Sequence, residues 1–318
     1  MAQISIVIPC YNAVKYITNC LDSLDKQTFK DFEVIFVDDM SSDNTYQYLQ
    51  KISNSCTYSV KLLQNPQNSG PAISRNNGIL AASGKYITFC DCDDWYDPFF
   101  LEKMYSLVSR NHSDICLCGY KVVDEKGNTQ FRPVADKEGV ISRKDAFALD
   151  ADSLCMLMVK TNIMKETLLP NLRNGEDVAT VPFLLIRAKT YSVTNLCLYN
   201  YFRRSNSASE TVSPNVVESL LSSFEYIKKH FPKEYFIELE YLGIKNVLYT
   251  SIITLLSISY DKDRAKRILH DFNGSYPNWY SNPYLSNLRL YKKIVVFLVH
   301  KRCFFLIRLI AILRSLYK

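Results

Sequence analysis

In "KYITFCDCDDWYDPFF" (85–100) a short apolar run, Tyr86 to Cys90, is followed at once by Asp91, Asp93 and Asp94. Like charges packed so closely cost energy unless something positive stands among them. The run has the length of a strand, and the carboxylates sit where that strand would end. The pattern recurs upstream. "ISIVIP" (4–9) runs into "CYN", and "FEVIFVDD" (32–39) closes on two aspartates; both are continuous apolar runs of the kind buried on two faces. "YSVKLLQN" (58–65) reads as another strand. Helical patterns lie between them. Val14, Ile17, Leu21 and Leu24 recur at helical spacing with Asn12 placed to cap them, and "GPAISRNNGILAAS" (70–83) sets Pro71 in its first turn. This alternation predicts βαβ units in a mainly parallel α/β sheet with helices on both faces. Ligands of such sheets bind outside the carboxyl ends of the strands, so separate strands deliver polar groups to one edge.

Composition narrows the choice of partner. The 318 residues are enough for about two domains. With 47% hydrophobic and 22% charged residues a sizeable core can form. The net charge of +6 is concentrated in the tail. Phe272 to Lys318 contains no Asp or Glu, but holds Arg289, Lys292, Lys293, Lys301, Arg302, Arg308, Arg314 and Lys318. Without those eight, 30 basic residues face 32 acidic ones, so the rest is near neutral and no nucleic-acid partner is implied. The N-terminal "MAQISIVIPCYN" lacks the basic region and small-residue site of a signal peptide. The ten cysteines include no C-x-x-C pair and are read as small packing hydrophobes rather than zinc ligands or disulfides.

Beyond residue 100 the pattern predicts a helix near 99–110, a strand at 114–124, a loop running into a helix over "GEDVATVPFLLIRAK" (175–189) and a strand over 190–204. After the turn-rich "SNSASETVSPN" (205–215) the pattern is helical to the end. The expected domains are 1–212, a helical appendage at 213–284 and a basic apolar helix at 285–318.

Asp91 and Asp93 have a hard-cation spacing: magnesium and manganese take one or two carboxylates and leave other positions to water and phosphate. A lone D-x-D is common by chance, and Asp94 and Asp97 read equally as turn formers.

Four ordered segments raise the specificity: "SIVIPCYNAVKYITNCLDSLDKQTFKDFEVIFVDDMSSDNT", "NSGPAISRNNGILAASGKYITFCDCDDW", "NGEDVATVPFLL" and "YFRRSNSAS". Through them residues 3–212 resemble the inverting, GT-A-fold family 2 glycosyltransferases, the non-processive branch that builds bacterial surface polysaccharides; the resemblance implies an α/β fold with a Rossmann-like mixed sheet, here followed by an all-helical C-terminal extension. Met40 departs from that pattern, where the family often has glycine, as does Cys92 inside the D-x-D. The resemblance implies transfer of one sugar from a nucleotide-diphosphate donor, expected to be a UDP-sugar, to a lipid-linked or oligosaccharide acceptor. It also implies a divalent cation, manganese or magnesium. Pro9, Tyr11 and Asn12 would form the wall beside the nucleotide base, Asp39 would accept from the uracil ring and Asp38 would orient its loop. Arg75 would reach the donor cleft; an exposed helix arginine without a role is the alternative. Asp93 would bind the metal, with Asp91 on the ribose or the ion's water shell and Cys92 between them. Glu176 and Asp177 would stand on the acceptor side, Asp177 as the base; without the resemblance, two acids at a helix start suit its dipole equally well. Arg203, Arg204, Ser205 and Ser207 would fold over the diphosphate.

A processive synthase is disfavoured. No Q-x-x-R-W occurs, the two tryptophans being Trp95 and Trp279, and no set of membrane spans for a channel is read. A sugar nucleotidyltransferase would need a glycine-rich basic loop after the first strand, which "IPCYNAVKY" lacks. A catalytically silent nucleotide- or partner-binding relative is the remaining alternative. The tail suits a helix lying on an anionic membrane, which would make the protein cytoplasmic and peripheral on the inner face. A packing helix in a homodimer is the competing reading.

Overall fold

The computed structural model describes residues 2–149, 151–172, 174–204 and 214–316. The chain forms two units, Met1–Ser207 and Ala208–Lys318. The boundary expected after residue 212 lies outside the described residues, and the described part of 285–318 clusters with the second unit.

In the first unit the chain runs β1 (Ile4–Cys10), α1 (Thr18–Asp25), β2 (Phe32–Asp38), α2 (Thr45–Ser53), β3 (Ser59–Gln64), α3 (Pro71–Ala81), β4 (Tyr86–Phe89) and β5 (Trp95–Tyr96). It continues through α4 (Phe100–Arg110), β6 (Ile115–Asp124), β7 (Thr129–Arg132), β8 (Gly139–Ile141), α5 (Arg143–Ala148), β9 (Leu157–Lys160), α6 (Thr161–Lys165), α7 (Glu176–Arg187) and β10 (Tyr191–Arg203). The strands form one sheet in the order β3-β2-β1-β4-β9-β6-β10-β5, with β7 beside β6 and β8 beside β10. The first four strands are parallel, as their buried apolar runs predict. The sheet as a whole is mixed, as the resemblance to the GT-A fold implies: β9 runs antiparallel between β4 and β6. That reversal brings β6, and β10 parallel to it, back into the direction of β4. The carboxyl ends of β1, β2, β4 and β10 consequently face one edge.

Two local expectations change. Helix α1 begins at Thr18, and Asn12 does not cap it. Asn12 takes φ +49°, a conformation asparagine tolerates, and its Oδ1 accepts from the N–H groups of Ser42 and Asp43 at 2.9 and 3.3 Å. It joins the loop after β1 to the loop after β2. Met40 stands at φ +54°, in the left-handed region that glycine enters freely, which suits the glycine that the resemblance leads one to expect here.

Glu33, in the buried run of β2, is 3% exposed. Its Oε1 accepts from Ser5 Oγ (2.6 Å) and from Ser83 N–H (2.7 Å), and Oε2 lies 2.9 Å from Lys61 Nζ. Burial raises its pKa, but Lys61, Ser5 and Ser83 prevail and lower it from 4.5 to about 2. The folded state thus binds this proton more weakly than the unfolded chain. Its stabilisation is complete above the unfolded value and is lost as pH falls through the folded one. The shift is equivalent to about 3 kcal/mol. Glu33→Gln is expected to unfold at lower urea at neutral pH and to flatten the fall in stability between about pH 5 and 2. Equal pH slopes for the variant and the parent would refute this assignment.

The second unit is helical: α8 (Pro214–His230), α9 (Phe236–Gly243), a π-helical segment (Ile244–Ser251), α10 (Ile252–Ile258), α11 (Lys262–Ser275), α12 (Leu290–His300) and α13 (Phe304–Leu316). Among the described residues one helix, Lys233–Ile258, is long and apolar enough to cross a membrane, but 78% of its apolar window is buried within the protein. It is the core helix of this unit, packed against α8 and α12. The tail is two helices rather than the single one expected, turning at Lys301–Cys303 where Arg302 has φ +58°.

Candidate active site

The site forms where β1, β2 and β4 end. In register, Cys10 faces Asp38 across β1 and β2, and Val7 faces Phe89 across β1 and β4. Pro9 is half-buried in β1, whereas Tyr11 just beyond it is 50% exposed and presents an aromatic ring at the edge. Asp38 Oδ2 accepts from Ser41 N–H and Gln64 Nε2, tying down the loop after β2. Asp39 is buried. Its Oδ1 accepts from Asn65 Nδ2 (2.6 Å) and Ser69 N–H (2.9 Å), and Oδ2 from Gly70 N–H (2.7 Å). Three of about four lone-pair positions are filled, leaving one on Oδ2 for an incoming donor. Gly70 permits this turn: at φ +88° it leads directly into Pro71 and α3.

The positive partners of the carboxylates are arginines. Arg75, on α3, is 5% exposed, which removes the exposed-helix alternative. Its Nη2 donates to Asp91 Oδ1 and its Nη1 to Glu176 Oε1, each at 2.7 Å. Asp177 Oδ1 lies 3.8 Å from Nη1. Burial works against the guanidinium charge, but Asp91, Asp177 and Glu176 hold its pKa well above the ordinary arginine range. Residues from three parts of the chain therefore meet on one cation. Arg204, beyond β10, pairs with Asp93 Oδ2, and its guanidinium lies 4.2 Å from the Tyr16 ring centroid. Arg203 is half-buried at the end of β10. Cys92, between the two aspartates, is half-buried; burial and this neighbouring thiol push the Cys10 pKa well up. Ser205 and Ser207 lie outside the described residues.

Glu176 and Asp177 open α7 directly after Gly175, which holds φ +82°. The two acids are not equivalent. Glu176 is engaged by Arg75. Asp177 Oδ2 accepts from Ser153 Oγ and Leu154 N–H, both at 3.1 Å. Its Oδ1 is buried without a hydrogen-bond partner. Burial raises the pKa of Asp177, Arg75 opposes, and Asp91 adds to the rise. Burial and then Asp177 likewise raise Glu176 against the pull of Arg75.

Sequence reasoning missed a clasp behind the carboxylates. Asp94, considered as a turn former, is 2% exposed and accepts from Tyr199 Oη (2.5 Å) and Phe202 N–H (2.7 Å). Tyr199 Oη also accepts from Asp91 N–H at 3.2 Å. Burial, with Asp91 and Asp93 nearby, pushes the Asp94 pKa well up. The clasp fixes the loop after β4 to β10, and its tyrosine lies 105 residues away, so proximity in sequence carried no signal. Asp97 is a turn residue: its Oδ1 accepts from Phe99 N–H.

A divalent cation can be tested against the donor set. Asp91 and Asp93 offer hard oxygen donors, and burial together with Asp91 raises the Asp93 pKa, marking a locally negative environment. Among the described residues no three His, Cys, Asp or Glu side chains group as a closed metal site. Two carboxylates with open positions fit magnesium or manganese, which retain water and phosphate ligands.

Comparison with known proteins agrees with this geometry. Staphylococcus aureus poly(ribitol-phosphate) β-N-acetylglucosaminyltransferase TarS is 29% identical over 224 residues, covering 67% of this chain and 38% of that protein. A poly(ribitol-phosphate) β-glucosyltransferase of Bacillus spizizenii is 30% identical over 232 residues, covering 71% of this chain and 36% of that protein. The chain thus spans well under half the length of these two relatives. The crystal structure of S. aureus TarS 1–349 in complex with UDP-GlcNAc superposes with a TM-score of 0.71 at 23% identity, over 97% of this chain and 90% of that one. The fold is that GT-A arrangement, with a C-terminal helical region. Residues 5–170 match the profile of glycosyl transferase family 2, and the chain belongs to that family.

Proposed function

We propose that the protein transfers one sugar, with inversion, from a UDP-sugar to a lipid-linked or oligosaccharide acceptor in cell-surface polysaccharide synthesis, at the inner face of the cell membrane. The carrying observation is the buried, unpartnered Asp177 Oδ1 beside Arg75. An orphaned carboxylate oxygen is costly unless a donor reaches it, and an acceptor hydroxyl is such a donor. The sugar-transferring activities in the names of the relatives, and the UDP-GlcNAc held by TarS, support the donor class.

In this reading Tyr11 stacks on the base and Asp39 uses its remaining lone pair on the uracil ring. Asp93 and Asp91 would hold a magnesium or manganese ion, which when bound offsets the charge of the departing diphosphate. Arg204 supplies donors beside it, and the planar guanidinium suits phosphate oxygens. Asp177 takes the acceptor proton, with its other oxygen fixed by Ser153 and Leu154. Glu176 works through Arg75, holding the guanidinium between the donor and acceptor carboxylates.

The purified chain should release UDP from at least one UDP-sugar in the presence of manganese and a membrane extract, with turnover lost on chelation. Pyrophosphate as the product would instead assign a nucleotidyltransferase. Failure of every nucleotide sugar to turn over with metal and acceptor extract would favour a silent relative.

A further inference from the structure

We infer that the last two helices form a docking face for an anionic lipid bilayer. Helix α12 buries Val295, Val296 and Val299 within the second unit, and α13 buries Phe304, Ile307 and Ala311. Each helix also carries a second apolar stripe that is exposed among the described residues. Leu290, Ile294 and Phe297 on α12, and Phe305, Leu309 and Ile312 on α13, repeat the same i, i+4, i+7 spacing. All six are between 40% and 74% exposed. The two helices pack on one another and are joined only by Lys301–Cys303. Two neighbouring stripes of this length exceed the scattered exposed leucines of an ordinary surface.

Charge selects the occupant. No acidic residue occurs from Phe272 to Lys318, and Lys293, Lys301 and Arg302 are exposed among or between the stripes. A second copy docked through the same face would set basic residues against basic residues with no carboxylate to answer them. An anionic headgroup layer satisfies both features at once: apolar side chains enter the acyl boundary while ammonium and guanidinium groups meet lipid phosphates. One face of each helix is buried against its own unit, so only the outer faces are available and the proposed placement is along the bilayer surface.

Flotation of the full chain with vesicles tests this without any donor or acceptor, so its outcome is separate from that of the transferase reading. Phosphatidylcholine vesicles with about 30 mol% phosphatidylglycerol should carry the chain at least about tenfold better than phosphatidylcholine alone, and about 0.5 M salt should release it. Phe297→Gln, Phe305→Gln and Leu309→Gln combined should lower binding about tenfold with little change in melting temperature, since all three are solvent-facing. Lys293→Glu, Lys301→Glu and Arg302→Glu combined should abolish the preference for anionic lipid. Wild-type chain that ignores both vesicle types, or binds both equally at every salt concentration, overturns the inference whatever the variants do. So does a wild-type dimer in light scattering that the triple glutamine variant turns into monomer.

Discussion

Arg75→Met is expected to destabilise the first unit by about 3–5 kcal/mol, a melting-temperature drop of roughly 6–20 °C. Methionine keeps the unbranched apolar stem and removes the guanidinium, so the dominant effect is loss of the charge and its hydrogen bonds, with some lost packing added. Arg75 is the shared counter-ion of Glu176 and Asp91, each bonded at 2.7 Å, and stands 3.8 Å from Asp177. Removing one partner of a buried ion pair costs far more than the pair is worth, because the remaining charge stays desolvated. Most of the loss should come from Glu176, whose side chain is 11% exposed; the Asp91 side chain, at 39%, recovers hydration. Arg75→Lys should restore less than half, since one ammonium cannot reach both carboxylates as the forked guanidinium does. The double variant Arg75→Met with Glu176→Gln should melt above Arg75→Met alone, because it also neutralises the most deeply stranded charge. Melting of Arg75→Met within about 2 °C of the parent would mean the three acids do not depend on this cation.

What could be read from the sequence follows from where each signal resides. The ends of β1, β2 and β4 were legible because unbroken apolar runs stop abruptly at polar residues, a local pattern. Asp91 and Asp93 were legible as a group for the same reason, whereas Glu176 and Asp177 stood out only through the family resemblance. Their common centre was not legible. Arg75 lies on a helix whose sequence gives no sign that its guanidinium is buried, and its partners stand 16 and 101 residues away. Asp94 and Asp97 look alike in "DCDDWYD", but one is clasped by Tyr199 while the other starts a turn and pairs with Lys121 at 3.0 Å. The antiparallel β9, "LMVK", is too short to announce its direction. In the tail, no glycine or proline marks the break; a left-handed Arg302 makes it, so one helix was expected where two exist. Asn12 was expected to cap α1, and its real partners on the next loop were invisible to a pattern confined to neighbours.

The second large effect is expected at Asp177. Asp177→Asn should lower turnover by about 10²–10⁴-fold, the usual contribution of a positioned base, with UDP affinity changed less than about twofold. The amide preserves shape: its carbonyl can keep the bonds from Ser153 Oγ and Leu154 N–H, which places the NH₂ where the unpartnered oxygen stood. A proton acceptor becomes a donor at the atom proposed to take the acceptor's proton. Folding should not suffer, because the substitution removes one of three negative charges around a single guanidinium, so the variant should melt at or above the parent. Glu176→Gln provides the contrast. It strips the charge from the acceptor of a 2.7 Å bond with Arg75, leaving a weaker neutral one, and should lower the melting temperature along with the rate. The pH profile separates the two further. The raised pKa of Asp177 means the parent should lose activity on acidification at a pH above that of an ordinary aspartate, since a base is useful only when deprotonated. That limb should vanish from the residual rate of Asp177→Asn. If it persists unchanged, or if turnover falls less than about tenfold, the proton leaves the acceptor by another route and Asp177 is a structural acid at a helix start.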